Sequence, residues 1–159
     1  MRTPAIAFLL VSCFAIPLSS QSSAQQIAAS FTKHKQVVKE KHGVRAEKYK
    51  DVRSEPTIRQ TLKDYAGTYE VDGVGYVLVV EITNDGRVRA TSNGHELKNA
   101  RIADAVLRAD GFEGAFLTRT DRDSPTDSGT VSYGLGVLLD TPVEFEGNTY
   151  DKLFYQLKR

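Results

Sequence analysis

Two residues near the start of the chain have a spacing that some enzymes use for catalysis. Ser30 and Lys33 match the serine-x-x-lysine pattern in which a lysine helps to activate a nucleophilic serine. That chemistry also needs partner motifs from distant strands, and neither Lys-Thr-Gly nor Ser-Asp-Asn occurs in the sequence. A match at two fixed positions arises easily by chance, so we expect that the protein is not an enzyme.

The histidines and one acidic loop are the residues that most resemble metal ligands. His34, His42 and His95 do not form the closely spaced pairs typical of zinc sites, which need three or four converging ligands. Loop 121–128 is rich in aspartate, but its spacing differs from that of a calcium-binding EF-hand loop, and Pro125 interrupts it. We therefore expect no metal and no other cofactor.

From Gly67 onward the sequence pattern indicates short strands separated by turns. Residues 76–83 are rich in Val, Leu and Ile, and Asp85-Gly86 after them and Asn93-Gly94 further on are tight-turn signals. Residues 95–97 and 101–108 indicate two further strands, with a helix as the alternative for residues 100–109. Residues 129–139 indicate a long strand in which Gly134 and Gly136 permit a bend or bulge. About eight short strands at intervals of about ten residues predict an all-β antiparallel barrel over residues 65–159, with a sandwich as the alternative.

The opening of this domain resembles a known family. Tyr65-Ala66-Gly67-Thr68-Tyr69, followed by a valine-rich strand and a tight turn, is similar to the start of small lipocalin-like domains of bacterial secreted proteins. Some of these domains are appended to penicillin-binding-protein-type serine hydrolases. The resemblance implies a lipocalin-like barrel of about eight strands. In such a barrel Gly67 would let its strand approach a neighbour closely, and Tyr69 would plug the closed end.

A barrel of this size is either filled by its own side chains or holds one small apolar ligand. Alternation along the strands gives seven residues expected to line the interior. They are Tyr69, Val77, Val79, Phe116, Tyr133, Leu135 and Tyr155. The simplest interpretation is that they fill the core.

Two functions stay open at this point. The first is a secreted, non-enzymatic module that binds a small apolar ligand, and the second is a module that docks on an envelope protein or surface. A ligand carrier should contain a cavity, whereas a docking module should be filled inside and carry an exposed apolar patch.

The N-terminus predicts export. Arg2 precedes an uncharged apolar run over residues 5–18, and the small residues Ser22-Ser23-Ala24 follow, which is the layout of a secretory signal peptide (residues 1–24) cleaved after Ala24. The run is shorter than the about 20 residues that span a bilayer, so we expect no transmembrane helix in the mature chain. We expect a secreted or periplasmic protein; the alternative is a lipoprotein anchored through Cys13, the single cysteine.

Residues 25–64 differ from the domain that follows and are interpreted as a basic leader, helical or disordered. Four residues recur at spacings that place them on one helical face. These residues are Ile27, Phe31, His34 and Val38. Residues 57–65 are expected to form a helical turn over the barrel, with Ile58, Leu62 and Tyr65 on its apolar face.

The two parts of the mature chain carry opposite charge. Residues 25–64 contain 10 basic and 5 acidic residues, a net charge of +5, whereas residues 65–159 contain 10 basic and 15 acidic residues, a net charge of −5. The leader could dock on its own domain, meet an anionic surface such as phospholipid or cell-wall polymer, or form a solvated stalk. An acidic folded domain argues against binding to nucleic acid.

Overall fold

The computed structural model describes residues 22–34, 37–41 and 44–158. Residues 1–21, which hold most of the predicted signal peptide and Cys13, lie outside the described residues, as does His42. The described residues form one α-helix, α1 (Ser23–Ser30), and one 3-10 turn, Leu62–Tyr65. The strands are β1 (Lys33–His34), β2 (Val37–Lys41), β3 (Val44–Lys48), β4 (Asp51–Pro56), β5 (Gly67–Glu70), β6 (Val77–Ile82), β7 (Val88–Ser92), β8 (His95–Leu97), β9 (Arg101–Ala103), β10 (Val106–Ala109), β11 (Phe112–Arg122), β12 (Thr130–Phe145) and β13 (Asn148–Leu157).

Strands β5 to β13 follow one another as an antiparallel meander. Each strand pairs with the next, apart from β8 and β9, and β13 returns to pair with β5. The sheet therefore curls along the course of a barrel and, within the described part of the chain, is open between β8 and β9. The prediction of an all-β, antiparallel, barrel-like fold is confirmed.

The expected count of about eight strands is not matched, because the meander has nine. Residues 101–108 were predicted as one strand, but a turn at Asp104 and Ala105 divides them into β9 and β10. Both turn residues have positive φ, 52° and 58°. Alanine is not a residue that normally marks such a turn, so the sequence carries little signal for it.

The turns that glycine and asparagine mark are where the sequence places them. Asp85-Gly86 lies between β6 and β7, and Asn93-Gly94 joins β7 to β8 with φ of 49° and 81°. These angles suit a tight primed hairpin turn, which matches the twist of its flanking strands. The Asn93 side chain also accepts a hydrogen bond from the backbone N–H of Val77, 2.8 Å away, and so fixes the turn to the start of β6.

The apolar residues form two clusters, one on each face of the sheet. The inner cluster fills the curl of the sheet and consists of Tyr65, Tyr69, Val71, Leu78, Val80, Ala90, Leu107, Phe116, Leu135, Val137, Leu153 and Tyr155. The outer cluster lies between α1 and the sheet and consists of Ala24, Ile27, Ala28, Phe31, Val106, Ala115 and Leu117. Strand β11 contributes to both clusters because successive side chains point to opposite faces.

Helix α1 confirms part of the prediction for the leader. Ser22 and Gln25 form a capping box at its N-terminus, and Ile27 and Phe31 are buried against the sheet as their spacing predicts. Helix α1 ends at Ser30, and Phe31 is its C-cap. The placement of His34 and Val38 on the same helical face is therefore wrong. His34 lies in β1 and Val38 in β2.

The end of the predicted leader is part of the main sheet. Strand β4 pairs with β11, and the side chain of Thr32 accepts a hydrogen bond from the Ser54 N–H at 3.0 Å. The hydroxyl of Ser54 donates to the Phe31 carbonyl at 3.2 Å. The described part of the leader therefore packs on the sheet through apolar contacts, backbone pairing and these hydrogen bonds.

Two local predictions are corrected. The turn before β5 is limited to Leu62–Tyr65 and buries Tyr65, but Ile58 is 83% exposed and does not share its apolar face. Gly134 and Gly136 were expected to permit a bend or bulge, whereas the irregular register of β12 falls later, between Leu138 and Val143. At Gly136 an added Cβ would lie 2.7 Å from both Phe31 and Leu117, so this glycine makes room for α1 to approach the sheet.

Candidate functional site

One end of the barrel interior is filled by aromatic rings. The ring of Phe116 lies 4.5 Å from that of Tyr65 and 5.9 Å from that of Tyr69, centroid to centroid. The Tyr69 hydroxyl donates a 2.7 Å hydrogen bond to the Tyr65 carbonyl. The void left among these rings has a volume of about 10 Å³. That is about the space one water needs, so this end has no room for a ligand.

The Tyr69 hydroxyl is fixed in its neutral form. Burial raises the pKa of Tyr69 from 10.0 to about 12, although the positive charge of Arg59 acts in the opposite direction and the neighbouring Tyr65 adds to the rise. Because the phenolate form is disfavoured in a buried site, Tyr69 acts as a permanent hydrogen-bond donor at neutral pH. Its hydroxyl holds the Tyr65 carbonyl at this end of the interior.

The other end of the interior opens into a cleft of about 890 Å³, called the mouth cleft below. Its floor continues the inner cluster through Val137, Leu153 and Tyr155. Its walls come from the start of β6, the β7–β8 turn, the β10–β11 turn and the irregular stretch of β12. The residues of these walls include Tyr76, Ser92, Asn93, Arg101, Arg108, Phe112, Leu139 and Val143.

Hydroxyl groups lie where the apolar floor of the mouth cleft meets its rim. The side chains of Tyr155, Ser92 and Tyr76 all line the cleft. Burial raises the pKa of Tyr155 above its ordinary value, the nearby Ser92 hydroxyl opposes that rise, and Tyr76 adds to it. Tyr155 is therefore neutral at ordinary pH and presents hydrogen-bonding capacity without charge.

Two arginines line the rim of the mouth cleft but differ in their surroundings. Arg108 is held in place, since its Nε donates to Glu113 at 2.9 Å and its Nη2 donates to the Ser23 hydroxyl at 3.0 Å. Arg101 takes part in none of the ion pairs found between described residues. It is also exposed, so it can turn toward a bound molecule at little cost.

The structure separates the seven residues predicted to line the interior. Tyr69, Phe116 and Leu135 belong to the inner cluster at positions that are filled. Tyr133 is half-buried beside the small void, with the Arg59 guanidinium 5.1 Å from its ring centroid. Tyr155 is the one member of the seven that reaches the mouth cleft.

The remaining two residues, Val77 and Val79, were assigned to the wrong face of β6. The side chains that enter the inner cluster are Leu78 and Val80, which are 0% and 1% exposed, whereas Val77 and Val79 are only half-buried. The strand is apolar at all of these positions, so its alternation does not reveal which set faces inward.

Several residues of the mouth cleft were missed by sequence reasoning. Val137 and Leu153 each lie two positions from a predicted lining residue on the same strand, so strict alternation from Leu135 and Tyr155 would have found them. Tyr76 and Ser92 gave no such signal, because their place in the cleft depends on how the hairpins curl and not on the local sequence.

The residues with catalytic or ligating potential are not brought together. The Ser30 hydroxyl bonds to the Gln26 carbonyl at 3.2 Å inside α1, and Lys33 already lies in β1, so the two do not share a helix. Among the described residues no group of three or more His, Cys, Asp or Glu side chains could hold a metal ion. In the acidic loop, Asp121 is engaged by Arg119 and Asp127 accepts a hydrogen bond from the Gly129 N–H.

The fold and the cleft define an all-β, barrel-like protein with one filled and one open end. No helix in the described ranges is long and apolar enough to cross a membrane. Comparison with protein-family models, with curated proteins and with solved structures finds no match to this chain.

Proposed function

We propose that this protein is a non-enzymatic binding module that holds a small apolar ligand in the mouth cleft. The observation that carries the proposal is the contrast between the two ends of the interior, about 10 Å³ of void at one and about 890 Å³ at the other. Sites for small molecules typically have volumes of about 300–1,000 Å³ and combine apolar walls with a few polar groups. The mouth cleft has a volume in this range, and it combines an apolar floor with walls that carry many polar side chains, Glu113 and Asp140 among them.

The lining suggests the kind of ligand. Val137 and Leu153 offer an apolar floor, so the larger part of the ligand should be hydrocarbon. Tyr155, Ser92 and Arg101 also line the cleft, and their side chains can bond to one polar end. A chain or ring compound with a single hydroxyl, carbonyl or carboxyl group fits this pattern.

The fluorescence of a bound dye offers a direct test. The chain has no tryptophan, so a substituted tryptophan is the only one in each variant. Val143 is half-buried in the wall of the mouth cleft, and Val143→Trp would place an indole in it. We expect this variant to bind the neutral apolar dye N-phenyl-1-naphthylamine at least about tenfold more weakly than the unmodified protein, since a bulky ring occupies the space of the ligand.

Val131→Trp is the matched control. Val131 lies on the same strand, is 49% exposed and does not line the cleft, so binding of the dye should be unchanged. Equal affinities for the two variants would show that the dye binds elsewhere and would count against the mouth cleft as the ligand site.

The mass of the protein isolated from its own cells tests two proposals, that the chain is exported and that it carries a ligand. We propose that the chain is secreted or periplasmic, and native mass spectrometry of protein from its own envelope fraction should give a mass beginning at Gln25 together with a bound small molecule. A diacylglyceryl group on Cys13 would instead identify a lipoprotein. A ligand-free mass would favour the module that docks on an envelope protein or surface through its basic leader.

A further inference from the structure

A second groove lies on the outer face of the sheet, beside α1. It has a volume of about 710 Å³ and is called the outer groove. One wall is formed by leader residues, Lys33 and Lys50, and the floor by side chains of β11, β12 and β13. The groove is therefore built jointly by residues of the leader and residues of the barrel domain.

The two acidic side chains that line the outer groove each have a basic partner, although Asp72 shares Lys158 with Glu70. The Nε and Nη2 atoms of Arg119 donate hydrogen bonds to the two carboxylate oxygens of Asp121, at 2.8 and 3.0 Å. Asp72 is paired with Lys158 at 3.0 Å. A paired carboxylate repels an approaching anion much less than a free one does.

The basic side chains of the outer groove keep capacity for a ligand. Lys152 uses one of its three donor hydrogens on the Ser30 carbonyl, at 2.8 Å, so two remain available. Lys33 and Lys50 are exposed and form none of the ion pairs between described residues. Positive charge is thus in excess on both sides of the groove.

Apolar surface lies between these charges. Phe31 and Val52 are 7% and 6% exposed and border the groove at the leader wall. The Phe154 ring lies on the floor, where the Arg119 guanidinium carbon is 5.6 Å from its centroid and the ring of Phe31 is 6.0 Å away. Because Phe31 and Val52 expose little area, an apolar group would gain free energy mainly by covering the half-buried Phe154.

We propose that the outer groove binds a small organic anion in which a phosphate or carboxylate is attached to a flat apolar group. The anionic end would lie between Lys33, Lys50 and Lys152, and the apolar part would lie against Phe154. Lysines serve as point charges for phosphate and carboxylate alike, so the headgroup chemistry is shared by the two anions. This site is separate from the mouth cleft and does not depend on the function proposed for it.

Nuclear magnetic resonance titration of the ¹⁵N-labelled full chain would locate the binding. The probes are phenyl phosphate, phenylacetate and neutral benzyl alcohol. We expect saturable shifts of amides in β11, β12 and β13 with both anions, weakening as salt is added because exposed charges are screened. Comparison of the two anions shows which headgroup is preferred. Equal binding of benzyl alcohol, or no saturable binding of either anion, would overturn the proposal.

Charge variants complete the test. Lys33→Gln combined with Lys50→Gln should weaken binding of the preferred anion by about tenfold, because each exposed charge contributes a modest Coulomb attraction. The control combines Lys63→Gln with Lys98→Gln, two exposed lysines that do not line the groove, and should leave binding unchanged. An equal loss in both double variants would show a general charge effect and would reject the site.

Discussion

The two ends of the barrel are built from the same strands but are packed differently. Strand β11 shows this within five residues, because Phe112 and Phe116 point to the same inner face of the sheet. Phe116 is 3% exposed and packs against Tyr65 and Tyr69, whereas Phe112 is half-buried in the wall of the mouth cleft. One end of the barrel interior is therefore filled because the 3-10 turn that contains Tyr65 covers it. The strands themselves are shared by both ends and do not determine which end is filled.

Truncation of the two phenylalanines should give the largest difference between the ends. Phe116→Ala removes a ring from a filled site and should lower the free energy of unfolding by about 3–5 kcal/mol, since both burial and packing are lost. Phe112→Ala leaves an already open site and should cost about 1–2 kcal/mol, the transfer term of a half-buried ring. Urea denaturation followed by circular dichroism measures both.

Equal losses from the two variants would mean that the mouth cleft closes in solution. The slope of the denaturation curve serves as the control, because a similar slope for all three proteins shows that each unfolds from an equally compact state.

The same contrast between filled and open space exists on the outer face. Gly136→Ala would force a Cβ to within 2.7 Å of Phe31 and Leu117, and we expect a loss of about 1–3 kcal/mol from overpacking between α1 and the sheet. Ser132→Ala, on the same strand but beside the outer groove, should change stability by less than about 0.5 kcal/mol. Thermal unfolding of the two variants is the measurement, and a neutral Gly136→Ala would show that α1 is not packed tightly.

The buried hydroxyls provide a smaller difference between the ends. Tyr69→Phe leaves the Tyr65 carbonyl without its 2.7 Å donor and should cost about 1–2 kcal/mol. Tyr155→Phe should cost less, because water in the mouth cleft can take the place of the lost hydroxyl. The free energies of unfolding of both variants in urea provide the comparison, and a larger loss at Tyr155 would contradict it.

The raised pKa of Tyr69 adds a dependence on pH. The folded protein holds this proton up to a pKa of about 12, compared with 10.0 for an ordinary tyrosine, so it binds more protons than the unfolded chain between these values. Stability from this group is complete below pH 10 and falls as the pH rises toward 12. Tyr69→Phe should therefore lose stability less steeply over this range than the unmodified protein does. An identical slope would show that Tyr69 titrates normally.

The smallest effect is expected at the solvent-exposed ion pair. Arg87 and Asp85 are 2.8 Å apart, but their side chains are 81% and 54% exposed. Arg87→Gln should change stability by less than about 0.5 kcal/mol, because water and salt screen such pairs. Arg119→Gln breaks the more sheltered, doubly bonded pair with Asp121 and should have the larger effect in the same thermal unfolding assay.

Local signals in the sequence predicted local structure well. Asn93-Gly94 marks its turn because these residues tolerate positive φ, and Ile27 with Phe31 marks the buried face of α1 because one helical turn relates them. The all-β, barrel-like fold follows from the sum of such signals. The turn at Asp104 and Ala105 was missed because neither residue favours that backbone conformation strongly.

Features that depend on distant contacts could not be read in the same way. Val77 and Leu78 are both apolar, so only the fold decides which of them enters the core. The pairing of β4 with β11 joins residues about sixty to seventy positions apart, and no local sequence pattern indicates it. The mouth cleft and the outer groove also depend on distant contacts, since each lies where neighbouring hairpins or α1 leave part of the sheet uncovered.

The position of Ala24 sets an order of events for an exported chain. Ala24 lies in the first turn of α1 and is 2% exposed, so the bond after it is inaccessible once the helix rests on the sheet. A peptidase that cuts there must act on the chain before it folds. The cut would also remove the Ser22 cap and leave the positive amine of Gln25 at the helix start, where positive charge is unfavourable. The processed chain would then fold without the Ser22 cap and without Ala24 in the outer cluster, so α1 would be held less tightly in the mature protein than in the precursor.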